Sequence, residues 1–142
     1  ALLRISERID TVFVAHPRTI KSLKQHGHFE RLSGAPRLEL LDPLPYVGFM
    51  NVVTGAKLVI TDSGGLQEET TYLGIPCLTM RENTERPVTV SQGTSELVRS
   101  STLFEHVDRI LSGKWKKGDR PPLWDGNTAE RAVAALFARL EK

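Results

Sequence analysis

Cysteine is almost absent from this sequence, which limits the chemistry that the chain can carry. The single cysteine, Cys77, excludes a disulfide within the chain and any metal site built from spaced cysteines. Cys77 lies in the apolar run IPCLTM, and this setting favours a buried, unreactive thiol over a nucleophile. His26, His28 and His106 show no metal-ligand spacing. We therefore expect neither a metal nor a cofactor.

Long apolar runs and an excess of one charge are also missing. No apolar run reaches membrane-spanning length, and the first residues do not resemble a signal peptide. The 142 residues carry a formal charge of +2, with Lys and Arg scattered along the chain. We therefore expect a cytoplasmic protein that binds neither membranes nor nucleic acids. The densest basic stretch, GKWKKGDR at residues 113–120, favours a solvated loop.

Strand-like and helix-like patterns alternate along the chain. Apolar and β-branched runs predict strands at residues 11–15, 37–42, 57–62 and 76–80, with a short edge strand at 96–99. Helical spacing predicts helices at residues 18–27, 45–56 and 65–74. The alternation predicts a Rossmann-like, three-layer α/β fold with a parallel sheet, organised as one domain over residues 1–142.

Two further helices are predicted near the end of the chain. Thr102 and Glu105 form a capping-box pattern before an apolar face. Thr128 is expected to cap the last helix, whose apolar stripe consists of Val133, Leu136, Phe137 and Leu140. At the other end, residues 2–9 have a helical stripe without a preceding cap, so we expect an N-terminal part of the protein to be missing.

The stretch DSGGLQEE, residues 62–69, follows a predicted strand and begins a predicted helix. Ligands of open parallel sheets bind beyond the carboxyl ends of the strands. Gly64 and Gly65 would let the backbone approach a ligand and adopt unusual dihedral angles, and the helix start and the Ser63 hydroxyl would suit a phosphate. Glu69, one turn later, would accept two hydroxyls, as from a ribose. The alternative is a plain tight turn with acids that favour the helix start.

The stretch RENTERP, residues 81–87, follows the next predicted strand. Its arginines suit a pyrophosphate because the guanidinium group donates two parallel hydrogen bonds. The alternative is a solvated charged loop. If the two strands are neighbours, both stretches converge and the ligand interpretation gains weight. His16, after the first strand, favours a capping or packing role.

The stretches TDSGGLQEET, LGIPCLTMRENTERP and QGT strongly resemble the non-hydrolysing UDP-N-acetylglucosamine 2-epimerases, and DPLPYVGFM and LWDG agree. The resemblance covers nearly the whole chain. It implies the C-terminal, nucleotide-binding half of a two-domain GT-B fold. The N-terminal domain, the first strand of this domain and the catalytic residues are then expected outside this sequence. The isolated chain is expected to be inactive, and the full-length enzyme a homodimer.

The resemblance also implies the reaction and the roles of individual residues. The family interconverts UDP-GlcNAc and UDP-ManNAc by eliminating UDP and adding it back to the other face. Ser63, Gly64 and Gly65 match the diphosphate cradle, and Glu69 matches the acid that holds the ribose. Phe49 matches the position beside the uracil. Arg86 matches the arginine that faces the phosphates or the sugar.

Two departures from the family pattern matter, although the acid missing after T-E-R-P is not essential to these assignments. Val88 stands where many members have an acid after T-E-R-P. His16 matches a histidine linked in some members to a second, regulatory UDP-GlcNAc, but here HPRT replaces the usual H-x-N-P. Gln67 and Glu68 receive no substrate role and are expected to hold the helix start or the domain interface. The alternatives are another GT-B enzyme, such as a glycosyltransferase or hydrolysing epimerase, and a non-catalytic nucleotide-sugar binding module.

Overall fold

The computed structural model describes residues 1–140. Two compact units make up the chain, Ala1–Gly55 and Ala56–Lys142. Every strand pair runs parallel within its own unit, which confirms the predicted α/β class with parallel strands. One domain over residues 1–142 stays a prediction. Among residues 1–140, no helix combines the length and the apolar character needed to cross a bilayer.

The first unit contains one parallel strand pair and four helices. In chain order its elements are α1 (Leu2–Ser6), β1 (Thr11–Val14), α2 (Pro17–Gln25), α3 (Phe29–Ser33), β2 (Leu38–Leu41) and α4 (Tyr46–Thr54). Strands β1 and β2 pair from Thr11 opposite Leu38 to Val14 opposite Leu41. The small core consists of Ile5, Ala15, Leu32, Leu38 and Val53, all buried.

The second unit contains a three-stranded parallel sheet in the order β3–β4–β5. Its elements are β3 (Val59–Thr61), α5 (Gly64–Leu73), β4 (Cys77–Thr79), α6 (Pro87–Ser91), β5 (Ser95–Leu97), α7 (Leu103–Leu111) and α8 (Thr128–Leu140). Strand β4 is central and completely buried, and the Cys77 thiol is inaccessible, as predicted. Helix α5 ends at Gly74, whose φ of 73° places it in the left-handed region that favours glycine.

Most predicted strands and helices are confirmed within a few residues, but the short helices and both caps differ. Helices α3 and α6 have five residues each and were not predicted. The capping box at Thr102 is wrong because the hydroxyl donates to the Arg99 carbonyl and does not cap α7. Thr128 is the first residue of α8 and not the residue before it.

The structure defines the side-chain environment of two stretches near the end of the chain. The apolar stripe of α8 is exposed to between 51% and 81% at Val133, Leu136, Phe137 and Leu140. Residues 113–120, which we call the basic segment, form a loop with five of its eight residues exposed, as predicted, but two of its side chains anchor it. The Trp115 indole donates to the Thr94 carbonyl at 3.0 Å, and the Lys116 ammonium donates to the Val90 carbonyl at 2.6 Å. These bonds hold the segment against the sheet and α6.

Candidate functional site

Two polar loops meet at the carboxyl ends of β3 and β4. The strands are neighbours, with Val59 opposite Cys77 and Thr61 opposite Thr79. One loop leads into α5, and the other, residues 81–86, is called the arginine loop below. A Cβ built on Gly64 would lie 3.9 Å from Glu85 Oε2. The convergence expected for neighbouring strands is therefore observed.

The start of α5 is a helix terminus that no side chain caps. Ser63 is the N-cap residue, yet its hydroxyl makes no capping hydrogen bond and the residue is exposed. The Ser63 N–H donates to Thr61 Oγ1 at 3.0 Å. The N–H groups of the first helical turn have no acceptor within the helix and carry its positive dipole end. The terminus can therefore accept an anion.

Gly64 and Gly65 occupy the first two positions of α5. Neither has a positive φ, so the unusual dihedral angles predicted for them are not used. Their effect is to leave space: a Cβ on Gly65 would meet its nearest neighbour, Ser63 Oγ, only at 4.0 Å. Because no side chain projects there, a ligand can approach the backbone closely.

The arginine loop is ordered by ion pairs. Arg81 donates two hydrogen bonds to the Glu85 carboxylate, at 3.0 and 3.1 Å. These bonds lower the pKa of Glu85 from its ordinary value, with smaller help from the charges of Arg81 and Arg86. Arg86 Nε lies 3.1 Å from Glu68 Oε1, and 45% of the Arg86 side chain stays exposed. A guanidinium group held in this way remains accessible to an anion.

The side chain of Gln67 connects the start of α5 with the arginine loop. The side chain is completely buried. Its Nε2 donates to the Ser63 carbonyl at 3.4 Å, and its Oε1 accepts from Thr84 Oγ1 at 2.8 Å. The expectation that Gln67 holds the helix start is confirmed. Its link to the arginine loop was missed, since nothing in the sequence pairs residue 67 with residue 84.

Glu69 lies one turn into α5 and is half-buried. Within residues 1–140 its carboxylate makes no hydrogen bond or ion pair. Glu68, directly before it, is occupied by Arg86. Of the two neighbouring carboxylates, Glu69 is therefore the one available to a ligand.

Phe49 and His16 belong to the first unit. Phe49 is half-buried on α4. His16 is the exposed N-cap residue of α2, and its Nδ1 accepts a hydrogen bond from the Arg18 N–H at 3.2 Å. The capping role expected for His16 is confirmed, and its regulatory role stays a prediction. The described part of the chain contains no group of three or more His, Cys, Asp or Glu side chains able to hold a metal.

The chain is an α/β protein whose polar site follows two adjacent parallel strands. The family model described as UDP-N-acetylglucosamine 2-epimerase matches residues 1–137. The chain belongs to the UDP-N-acetylglucosamine 2-epimerase family. A UDP-N-acetylglucosamine 2-epimerase of Methanocaldococcus jannaschii is 39% identical over 129 residues, which cover 88% of this chain and 34% of that protein. A probable UDP-N-acetylglucosamine 2-epimerase of Ralstonia nicotianae is 46% identical over a match that covers 97% of this chain and 38% of that protein.

A crystal structure of the Methanocaldococcus jannaschii enzyme in complex with UDP-GlcNAc and UDP shares the fold with a TM-score of 0.81 and 35% identity. The match covers 96% of this chain and 38% of that one. This likeness confirms the Rossmann-like α/β class predicted as part of a GT-B fold. The chain thus spans little more than a third of the length of the relatives described.

Proposed function

We propose that this chain forms the UDP-binding part of a non-hydrolysing UDP-GlcNAc 2-epimerase. The observation that carries the proposal is the convergence of the uncapped α5 terminus with the arginine loop at neighbouring strand ends. An uncapped terminus and an arginine are complementary to a diphosphate. Family membership and the bound UDP-GlcNAc and UDP of the relative described above support a nucleotide sugar as the matching ligand.

In this proposal, different residues bind different parts of the nucleotide. The hydroxyl and N–H groups of Ser63, Gly64 and Gly65 bind the diphosphate, and Arg86 faces the phosphates or the sugar. Glu69 binds the ribose hydroxyls, a role that its half-buried carboxylate supports because it has no partner within residues 1–140. Phe49 lies beside the uracil, and His16 belongs to a regulatory nucleotide-sugar site. Both of these roles rest on the family resemblance alone.

With these residue roles, the chain contributes to the departure of UDP and not to the proton transfer. Negative charge develops on the diphosphate as UDP leaves, so groups that bind the diphosphate stabilise the transition state. Proton transfer at C2 of the sugar needs an acid or base within hydrogen-bond reach of that carbon. No residue of this chain is assigned to that step, so the chain alone should be inactive. We further propose a cytoplasmic homodimer that needs neither a cofactor nor a metal.

The reaction is tested by product analysis with the full-length protein and UDP-GlcNAc. Nuclear magnetic resonance spectra should show UDP-ManNAc accumulating until an equilibrium with UDP-GlcNAc is reached. Free ManNAc with released UDP would instead identify a hydrolysing epimerase, and a glycoside would identify a glycosyltransferase. Binding of UDP-GlcNAc without any product would favour a non-catalytic binding module.

The ribose assignment predicts that Glu69→Ala weakens UDP binding by roughly 1.5–3 kcal/mol, the range for a hydrogen bond to a charged group. Calorimetric titration of the full-length protein with UDP measures this change. The matched control is Glu130→Ala, which removes an exposed carboxylate from the first turn of α8. Equal affinities of the wild type and Glu69→Ala would remove Glu69 from the site.

A further inference from the structure

Gln67 is a polar side chain with no exposed surface, in the helix that begins at the proposed diphosphate site. A buried amide is costly unless its donor and acceptor groups are paired. Leucine would fill a similar volume without this requirement. The contacts of the amide therefore show what the position provides beyond packing.

The amide bonds connect the two loops of the site. Nε2 donates to the carbonyl of Ser63, the N-cap residue of α5. On the other side, Oε1 accepts from Thr84 Oγ1 at 2.8 Å and faces Thr89 Oγ1 at 3.4 Å. Thr84 lies in the arginine loop, and Thr89 lies in α6, which follows it. One buried group thus fixes the distance between the helix start and the arginine loop.

The same two threonines hold the backbone of Arg86 on both sides. Thr84 Oγ1 accepts from the Arg86 N–H at 3.0 Å, and Thr89 Oγ1 donates to the Arg86 carbonyl at 2.8 Å. A hydroxyl has one hydrogen and two acceptor lone pairs. The Thr84 hydroxyl donates its hydrogen to Gln67 Oε1. This leaves a lone pair of Thr84 Oγ1 directed at the Arg86 N–H. The orientation of Gln67 is therefore transmitted to the Arg86 backbone.

Glu68, the next residue of α5, pairs with the Arg86 side chain at 3.1 Å. Consecutive residues of one helix therefore control different parts of the same arginine. Gln67 holds its main chain through the threonines, and Glu68 orients its guanidinium group. Since α5 also supplies the N–H groups of the helix terminus, the arginine and the terminus are held in one rigid arrangement.

We propose that Gln67 is a positioning residue for diphosphate recognition, which sets Arg86 against the Ser63–Gly65 turn so that both grip the same diphosphate. Gln67 itself touches no substrate. This role rests on the proposed function, because it requires a nucleotide diphosphate at the site. A positioning role predicts a loss confined to the phosphates, whereas a purely structural role predicts a loss of stability that affects every ligand equally.

The test compares UDP with uridine, which lacks the diphosphate, by calorimetric titration of the full-length protein. Gln67→Leu should raise the Kd for UDP about tenfold and change the Kd for uridine by less than about twofold. Adding Gln67→Leu to Arg86→Ala should weaken UDP binding by less than a further factor of about two, since the two residues act as one unit. Thr70→Val is the matched control. Thr70 is equally buried in α5, but among residues 1–140 its hydroxyl bonds only to the backbone of its own helix.

A second pair of variants covers the case in which Gln67→Leu does not fold. Thr84→Val removes the connecting hydroxyl and should raise the Kd for UDP about fivefold, the value of one net hydrogen bond. Thr84→Ser restores the hydroxyl and should recover the wild-type ratio of UDP to uridine affinity. If Thr84→Val and Thr84→Ser bind UDP equally well, the positioning role is wrong.

The outcomes separate this role from the proposed function. If the wild-type protein does not bind UDP, the proposed function fails and the positioning role fails with it. If the wild type binds UDP but Gln67→Leu weakens UDP and uridine equally, only the positioning role fails. If the losses in UDP affinity caused by Gln67→Leu and Arg86→Ala are fully additive, the positioning role likewise fails while the proposed function stands.

Discussion

The arginine loop and the basic segment are both rich in charged residues but use their basic residues differently. In the arginine loop, Arg86 pairs with Glu68 and keeps nearly half of its side chain exposed at the end of a central strand. In the basic segment, Lys116 donates to a main-chain carbonyl, and burial lowers the pKa of its ammonium group. Arg120, at the end of the segment, stacks on the Tyr72 ring at 3.9 Å.

The difference indicates that the position of a basic residue relative to the strand ends, and not its charge alone, determines whether it can bind a ligand. Residues 81–86 follow the carboxyl end of β4, where neighbouring loops converge. The basic segment follows α7 and packs against the residues between α6 and β5. There the Asp119 N–H donates to the Gln92 carbonyl at 2.7 Å, and a Cβ on Gly118 would lie only 2.6 Å from the Gly93 carbonyl carbon. Lys116 and Arg120 contact other parts of the fold, whereas Arg86 is proposed to bind a diphosphate.

The largest effect is expected from Gly118→Ala, which adds one carbon to the basic segment. That Cβ would lie 2.6 Å from the Gly93 carbonyl carbon, and Gly118 has a φ of 64°. A steric clash with backbone and a left-handed alanine together should lower the free energy of unfolding by about 3 kcal/mol. Chemical denaturation measures this loss.

Gly65→Ala is the matched control, since the same added carbon would make only an ordinary van der Waals contact, with Ser63 Oγ at 4.0 Å, among the described residues. Its free energy of unfolding should stay within about 1 kcal/mol of the wild type or rise, because alanine is the better helix former. Its affinity for UDP should fall. If Gly118→Ala were as stable as Gly65→Ala, the basic segment would not be held against the sheet as described.

The next effect concerns Arg86. Replacing it with alanine should weaken UDP binding by about 1.5–3 kcal/mol, because charge-assisted hydrogen bonds to the phosphates are lost. Arg86→Lys should also weaken binding clearly, since lysine keeps the charge but not the paired donors. Calorimetric titration with UDP measures both changes. Lys117→Ala removes an exposed cation from the basic segment and should leave the affinity unchanged. Equal losses in Lys117→Ala and Arg86→Ala would contradict the comparison.

The smallest effect is the acid dependence of the Arg81–Glu85 pair. The pKa of Glu85 is lowered in the folded chain from 4.5, so the unfolded state binds the proton more strongly. The pair therefore contributes its full stability above about pH 4.5 and loses it as the pH falls through the lowered pKa. Denaturation midpoints of the wild type and Glu85→Gln, measured from neutral pH down to about pH 3, should converge at the acid end. The denaturation midpoint of Lys117→Ala should not converge with that of the wild type in this way. If the midpoints of Glu85→Gln and the wild type differ by the same amount at every pH, the expectation is wrong.

Much of the fold follows from local sequence patterns. Strands β1 to β4 are short apolar runs, and α5 lies between two glycines that mark its ends. Helix α6 lacks such a pattern, because its five residues follow Arg86 without an apolar period. The capping box at Thr102 fails for a related reason. The hydroxyl has a competing acceptor in the Arg99 carbonyl, which only the folded turn brings near.

The candidate site was predictable where each residue acts on its own. Ser63, Gly65 and Arg86 lie at strand ends, which sequence order and the parallel topology predict together. The Gln67 connection was not predictable, because it joins residues 17 and 22 positions apart through two hydroxyls. The anchoring of the basic segment was not predictable for the same physical reason. Its partners are carbonyl groups such as that of Val90, and a backbone acceptor leaves no mark in the sequence.

A crystal structure of the full-length protein with UDP tests the central claim most directly. We expect the diphosphate to lie within hydrogen-bond distance, about 3 Å, of the Gly64 and Gly65 N–H groups and the Arg86 guanidinium. The ribose hydroxyls should meet the Glu69 carboxylate. A diphosphate bound elsewhere, with the α5 terminus and Arg86 both unoccupied, would contradict it.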